Sequence, residues 1–170
     1  PVSSTTLSPC RSSAASTRRA AATGSVCAPP VGSGTISLLK GDGAGHFRDP
    51  TVVISGLTQP RALVATRLNG DALPDLVVAV EGTTEAVSYI NTGGTFRKGN
   101  GAKVGGSAFA LAAGDLNGDR FADLVTTNIS GDSLTILLGN GDGNFKDPII
   151  LRLQEQPRAV VLHDFNGDGK

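Results

Sequence analysis

Residues 115–123 read Asp-Leu-Asn-Gly-Asp-Arg-Phe-Ala-Asp, and four of these nine side chains carry hard oxygen donors. Asp115, Asn117, Asp119 and Asp123 occupy positions 1, 3, 5 and 9 of one short turn. That spacing can aim three carboxylates and an amide oxygen at a common centre, which is what a hard cation such as Ca²⁺ requires. Gly118 relieves the backbone where the turn is tightest. Three carboxylates within a few ångströms repel one another unless something positive lies between them. The competing reading is an Asx-rich turn held by side chain to backbone hydrogen bonds. An EF-hand is excluded, because Arg120 and Thr126 stand where that loop needs Gly and Glu.

The pattern is repeated along the chain. Asn69-Gly70-Asp71, Asn117-Gly118-Asp119 and Asn166-Gly167-Asp168 are separated by 48 and 49 residues. Phe47, Phe96 and Phe145 are each 49 apart, and Gln59-Pro60-Arg61-Ala62 returns as Gln156-Pro157-Arg158-Ala159 after 97 residues. A fixed period of this length marks a repeat architecture. Seven of the fifteen acidic residues fall in the three loops: Asp71, Asp75, Asp115, Asp119, Asp123, Asp164 and Asp168. In the first loop Arg67 stands where the second has Asp115, so a turn salt-bridged through Asp71 or Asp75 is expected there. The third loop keeps Asp164, Asn166 and Asp168, and its closing position lies beyond Lys170.

Short apolar runs supply the elements that would position these loops. Arg61–Thr66, Leu76–Val80, Val87–Asn91 and a run starting near Phe96 read as four strands. Phe109–Ala113, Leu124–Asn128, Leu134–Leu138 and Phe145–Leu151 repeat them. Leu76–Val80 is unbroken, as in a strand buried on both faces. The Gly-rich stretches 41–45 and 139–144 fit hairpins rather than phosphate loops, because a strand and not a helix follows each. Four short strands in 45–50 residues is about the size of a β-propeller blade.

These residues resemble the FG-GAP, or VCBS, repeats. The resemblance is carried by Gly114-Asp115-Leu116-Asn117-Gly118-Asp119, by Asp123-Leu124-Val125, and by Leu138-Gly139-Asn140-Gly141-Asp142-Gly143-Asn144-Phe145. It covers about residues 34–170. It implies an all-β fold of four-stranded antiparallel propeller blades, a fragment of a larger ring that is commonly seven-bladed. Part of one blade is expected over 34–57, blades over 58–106 and 107–155, and the start of another over 156–170. It also implies Ca²⁺ in the loop between the first two strands. The ligands carried over are Asp115, Asn117, Asp119, the Phe121 carbonyl and Asp123, with Asp164, Asn166 and Asp168 in the third copy.

Residues 1–30 are rich in Ser and Ala, contain three Arg and no Asp or Glu, and show no apolar periodicity. A disordered tail or linker is expected there, and both cysteines, Cys10 and Cys27, fall in it. The lack of any Met makes a fragment of a longer protein the expected reading. Formal net charge is zero and residues 31–170 hold no basic cluster, which argues against nucleic acid as partner. No apolar run approaches the ~20 residues of a membrane span. Neither His46 nor His163 has an evident nucleophile beside it, and no catalytic group stands out. The function expected is a non-enzymatic, calcium-binding segment of a secreted or cell-surface protein, with a protein or carbohydrate ligand in adhesion or recognition. The alternatives are an accessory propeller of an extracellular polysaccharide-active enzyme and a purely structural scaffold.

Overall fold

The computed structural model describes residues 24–27 at the level of the backbone, together with 34–42, 44 and 46–165. Eleven strands are defined among them: β1 (Gly24–Cys27), β2 (Ile36–Lys40), β3 (Thr51–Ile54), β4 (Pro60–Thr66), β5 (Asp75–Val80), β6 (Glu85–Asn91), β7 (Phe96–Lys103), β8 (Ala108–Gly114), β9 (Asp123–Asn128), β10 (Ser133–Leu137) and β11 (Ile149–Arg152). They form three antiparallel meanders, ordered β1-β2-β3, β4-β5-β6-β7 and β8-β9-β10-β11. The two complete sheets are four-stranded units of the β-propeller blade type, in the all-β architecture expected from the repeat.

Each core lies between sheets rather than within one. Along β5, Leu76, Val78 and Val80 pack with Ile36 and Ile54 of the first sheet and with Val87 and Tyr89 of β6. Val77 and Ala79 face the other way, and join Ala86, Ile90, Ala108, Leu124 and Leu137 in the core shared with the third sheet. Side chains alternate along a strand, so a strand covered on both faces must be apolar at every position. That is why residues 76–80 show no alternation.

Three features differ from the expected elements. Gly24–Cys27, placed by composition in the tail, pairs antiparallel with β2 in the register Gly24 to Lys40 and Cys27 to Ser37. Cys10 lies outside the described residues. The last strand of the second full unit starts at Ile149, not Phe145, which makes only an isolated bridge with Gly139. Pro148 lacks an N–H for the ladder and immediately precedes the strand. Finally, the pairing slips between Pro60 and Ala62, and again between Ala108 and Ala110. The displaced residues, Arg61 and Phe109, then meet across the sheets, with the guanidinium 4.6 Å from the ring centroid. Arg158 approaches the same ring at 5.8 Å.

Leu124→Ala should cost about 2–5 kcal/mol in urea denaturation, because its side chain is fully buried where two sheets meet. Leu151→Ser, on exposed β11, should stay within about 0.5 kcal/mol of wild type.

Candidate functional site

The turn from Gly114 to Asp123 links the first strand of its blade, β8, to the second, β9. Its backbone is held by its own side chains. Asp115 accepts the Gly118 amide through Oδ1 (2.7 Å) and the Arg120 amide through Oδ2 (2.8 Å). Asn117 Oδ1 accepts the Asp119 amide at 2.9 Å, and Asp119 Oδ1 accepts the Phe121 amide at 2.9 Å. Asn117 Nδ2 donates to the second Asp119 oxygen at 2.8 Å. These bonds keep two residues in the left-handed region, Gly118 at φ 81° and Arg120 at φ 72°. The first suits glycine. The second is uncommon for a long side chain, and the Asp115 bond to its amide holds it there.

Asp115 is exposed, and two effects act on its carboxyl. Partial desolvation raises its pKa, but the amides of Arg120, Gly118, Asn117 and Asp119 together pull it below the ordinary 3.8. The depressed value means that these bonds stabilise the turn above about pH 4. Their contribution is lost as the pH falls through the lowered value.

Asp123 plays a different part. Its side chain is fully buried. Oδ2 accepts the Leu116 amide at 2.8 Å, and Oδ1 accepts the Gly139 amide at 2.8 Å. One carboxylate thus joins the turn, the start of β9 and the second residue past β10. The first blade repeats this in the same register. Asp75, also fully buried, accepts the Leu68 amide at 2.8 Å and the Asn91 amide at 2.9 Å. It does so although Arg67 replaces the opening acid of that turn. The closing aspartate therefore has a structural task common to both loops, which the sequence pattern alone did not separate from ligation.

Among the described residues no three His, Cys, Asp or Glu side chains gather around one point. The acidic groups left towards solvent in the second turn are Asp115 and Asp119, with the amide of Asn117 between them in sequence. As chemistry this set fits a hard divalent cation. All the donors are oxygens, each carboxylate oxygen keeps a lone pair beyond its one amide bond, and the turn already fixes their directions. In the first turn the corresponding set is Asn69 and Asp71, which hold each other through Asn69 Nδ2 at 2.9 Å. The salt-bridged turn expected there does not form, since Arg67 makes no ion pair with Asp71 or Asp75. In the third copy Asp164 lies beside Gly114, Asp115 and Leu116 in a small cleft. Asn166 and Asp168 fall outside the described residues.

The hairpin at 139–144 does more than turn the chain. The Gly143 amide donates to the Leu68 carbonyl of the preceding blade at 2.8 Å, and Asn69 bridges to Asp142. Asn100 of the preceding blade donates to Asn144 at 2.7 Å. Gly143 has φ 90°, and a Cβ there would sit 2.9 Å from Ile90 Cδ1. At Gly141 a Cβ would run into the Phe121 ring. The hairpin is thus a latch between one blade and the acidic turn of the last. The repeated Gly-x-Gly-x-Gly spacing was its only trace in the sequence.

A cleft of about 410 Å³ separates the two acidic turns, with Arg67 and Asp71 on one wall and Asp115, Arg120 and Phe121 on the other. Phe121, in its lining, is exposed.

Two substitutions separate the roles of the carboxylates. Asp123→Ala and Asp75→Ala should each cost about 2–5 kcal/mol in chemical denaturation without calcium, because each strands two amides. Asp119→Ala should cost less than about 1 kcal/mol under the same conditions.

Comparison with known protein families supplies an independent line of evidence. The family description FG-GAP-like repeat matches residues 67–126 and again residues 115–170. Each match contains an acidic turn, and the second begins on Asp115. No curated protein matches the chain. With two matches over more than half its length, the chain belongs to the FG-GAP-like repeat family.

Proposed function

We propose that the chain is a non-catalytic, calcium-binding repeat segment of a secreted or cell-surface protein that acts in adhesion or ligand recognition. The observation that carries this reading is the pre-set turn at 115–123. Its side-chain oxygens are fixed by hydrogen bonds within the turn itself, so little ordering is left to be done when a cation arrives. Asp115, Asn117 and Asp119 would hold the ion, the Phe121 carbonyl would add an oxygen, and water would complete the shell. Asp123 supports them from behind by fixing Leu116. When bound, the divalent charge would offset the repulsion between the Asp115 and Asp119 carboxylates and tie these two residues together across the turn.

Membership of the repeat family favours an extracellular setting, where millimolar calcium suits a loop of this kind. The partner would be a protein or a carbohydrate. No helix among the described residues is long and apolar enough to cross a membrane. The non-catalytic reading rests on the surroundings of the two histidines. Among the described residues, His46 pairs with Asp42 and His163 meets the Phe165 ring, and neither contact makes a nucleophile–base pair.

Calcium added to the full chain should raise its melting temperature saturably, with a midpoint of about 10⁻⁴–10⁻³ M by calorimetry. Asp119→Ala should abolish the effect, while Asp71→Ala, in the turn carrying Arg67, should leave it unchanged. No heat and no thermal shift at millimolar calcium would overturn the calcium reading.

A further inference from the structure

Arg67 looks at first like the loss of a cation ligand. The cleft between the turns gives it another role. Arg67 of the first turn and Arg120 of the second both line that cleft, and Phe121, 42 % exposed, adds an apolar surface to the lining. The charges lining it are not equally engaged. Asp71 accepts Asn69 Nδ2 at 2.9 Å and the Leu73 amide at 2.8 Å, and Asp115 accepts the amides of Gly118 and Arg120. Both carboxylates are thus turned to donors of their own loops. Among the described residues, neither the Arg67 nor the Arg120 side chain has a hydrogen bond or an ion pair. Arg61, by contrast, has Glu81 at 3.5 Å.

A guanidinium presents a planar fork of N–H donors that matches a carboxylate in two-point contact. Two such groups lining one cleft, with an aromatic surface in the same lining, make a site for an anion that also has an apolar side. The volume of about 410 Å³ suits a small ligand or a single residue of a larger one. We propose that the cleft between the two acidic turns binds a carboxylate carried on a flat apolar body, with Arg67 and Arg120 taking the carboxylate and Phe121 the body. The replacement of an acid by Arg67 then converts one wall of the cleft from cation-seeking to anion-seeking. The site does not require calcium. Calcium held at 115–123, on the reading proposed above, would offset the Asp115 charge and strengthen binding.

Benzoate is the simplest probe, and benzamide is its neutral counterpart of the same shape. In NMR titrations of the full chain, benzoate should shift the side-chain Nε–H signals of Arg67 and Arg120 and the Phe121 ring signals saturably. The dissociation constant expected for so small a ligand is about millimolar. Benzamide should give no saturation over the same range. Arg67→Asp, which restores the acid of the intact turn, should weaken benzoate binding by about tenfold or more, and Arg67→Gln by several-fold. Arg61→Gln, outside the cleft, should leave it unchanged. Equal binding of benzamide, or full benzoate affinity in a folded Arg67→Gln protein, would overturn the proposal. So would benzoate shifts that bypass the cleft. Calorimetric calcium binding on the same samples keeps the two readings apart, since benzoate should still bind in EGTA if calcium binding fails.

Discussion

A buried carboxylate that accepts two backbone amides is the interaction on which each blade depends. Asp75 and Asp123 are fully buried, and each reaches one amide in the turn before it and one at or shortly after the end of the third strand. Buried amides need acceptors, and at the place where two strand ends and a turn converge the ladder has none to offer. An aspartate at the start of the second strand meets that need for both amides at once. Its negative charge is tolerable in this position because both oxygens are hydrogen-bonded to donors. The period of 48 residues between Asp75 and Asp123 is in this sense a structural period, independent of what the turn binds.

With the turn anchored from behind, its outer residues are released for other work. In the second blade that outer set is Asp115, Asn117 and Asp119, while in the first Arg67 opens the turn. Neighbouring turns built on one scaffold can therefore differ in charge without disturbing the sheets. The glycine hairpin at 139–144 then fixes the distance between them, because the Gly143 amide bonds Leu68 and Asn69 meets Asp142. Turn, latch and cleft form one continuous region. A change of charge on one wall is felt across a gap whose width is set by backbone contacts.

Much of the fold was legible in the sequence. The unbroken run Leu76–Val80 marked a strand covered on both faces, and the two cores that share β5 are the physical reason. The acidic turn was legible as a turn too, because its Asx residues hold its own backbone amides. The structural task of Asp123 was not. A carboxylate at position nine satisfies a cation or a pair of amides equally well on paper. The clue was the retention of Asp75 in a loop whose first acid had become Arg67. The late start of β11 was hidden for a different reason, since Phe145 belongs by type to a strand but contributes only a bridge. Gly24–Cys27 was hidden by composition, because backbone pairing with β2 leaves little trace in a Ser- and Ala-rich stretch.

Hydrogen exchange of four backbone amides tests the account at its centre. Leu68, Asn91, Leu116 and Gly139 should all be strongly protected in the full chain in EGTA, because their acceptors are buried carboxylates rather than groups organised by metal. Addition of calcium should change the exchange of Leu116 and Gly139 little. Fast exchange at Leu116 and Gly139 in EGTA, with protection restored only by calcium, would contradict the account and make Asp123 a metal ligand first and a structural clamp second.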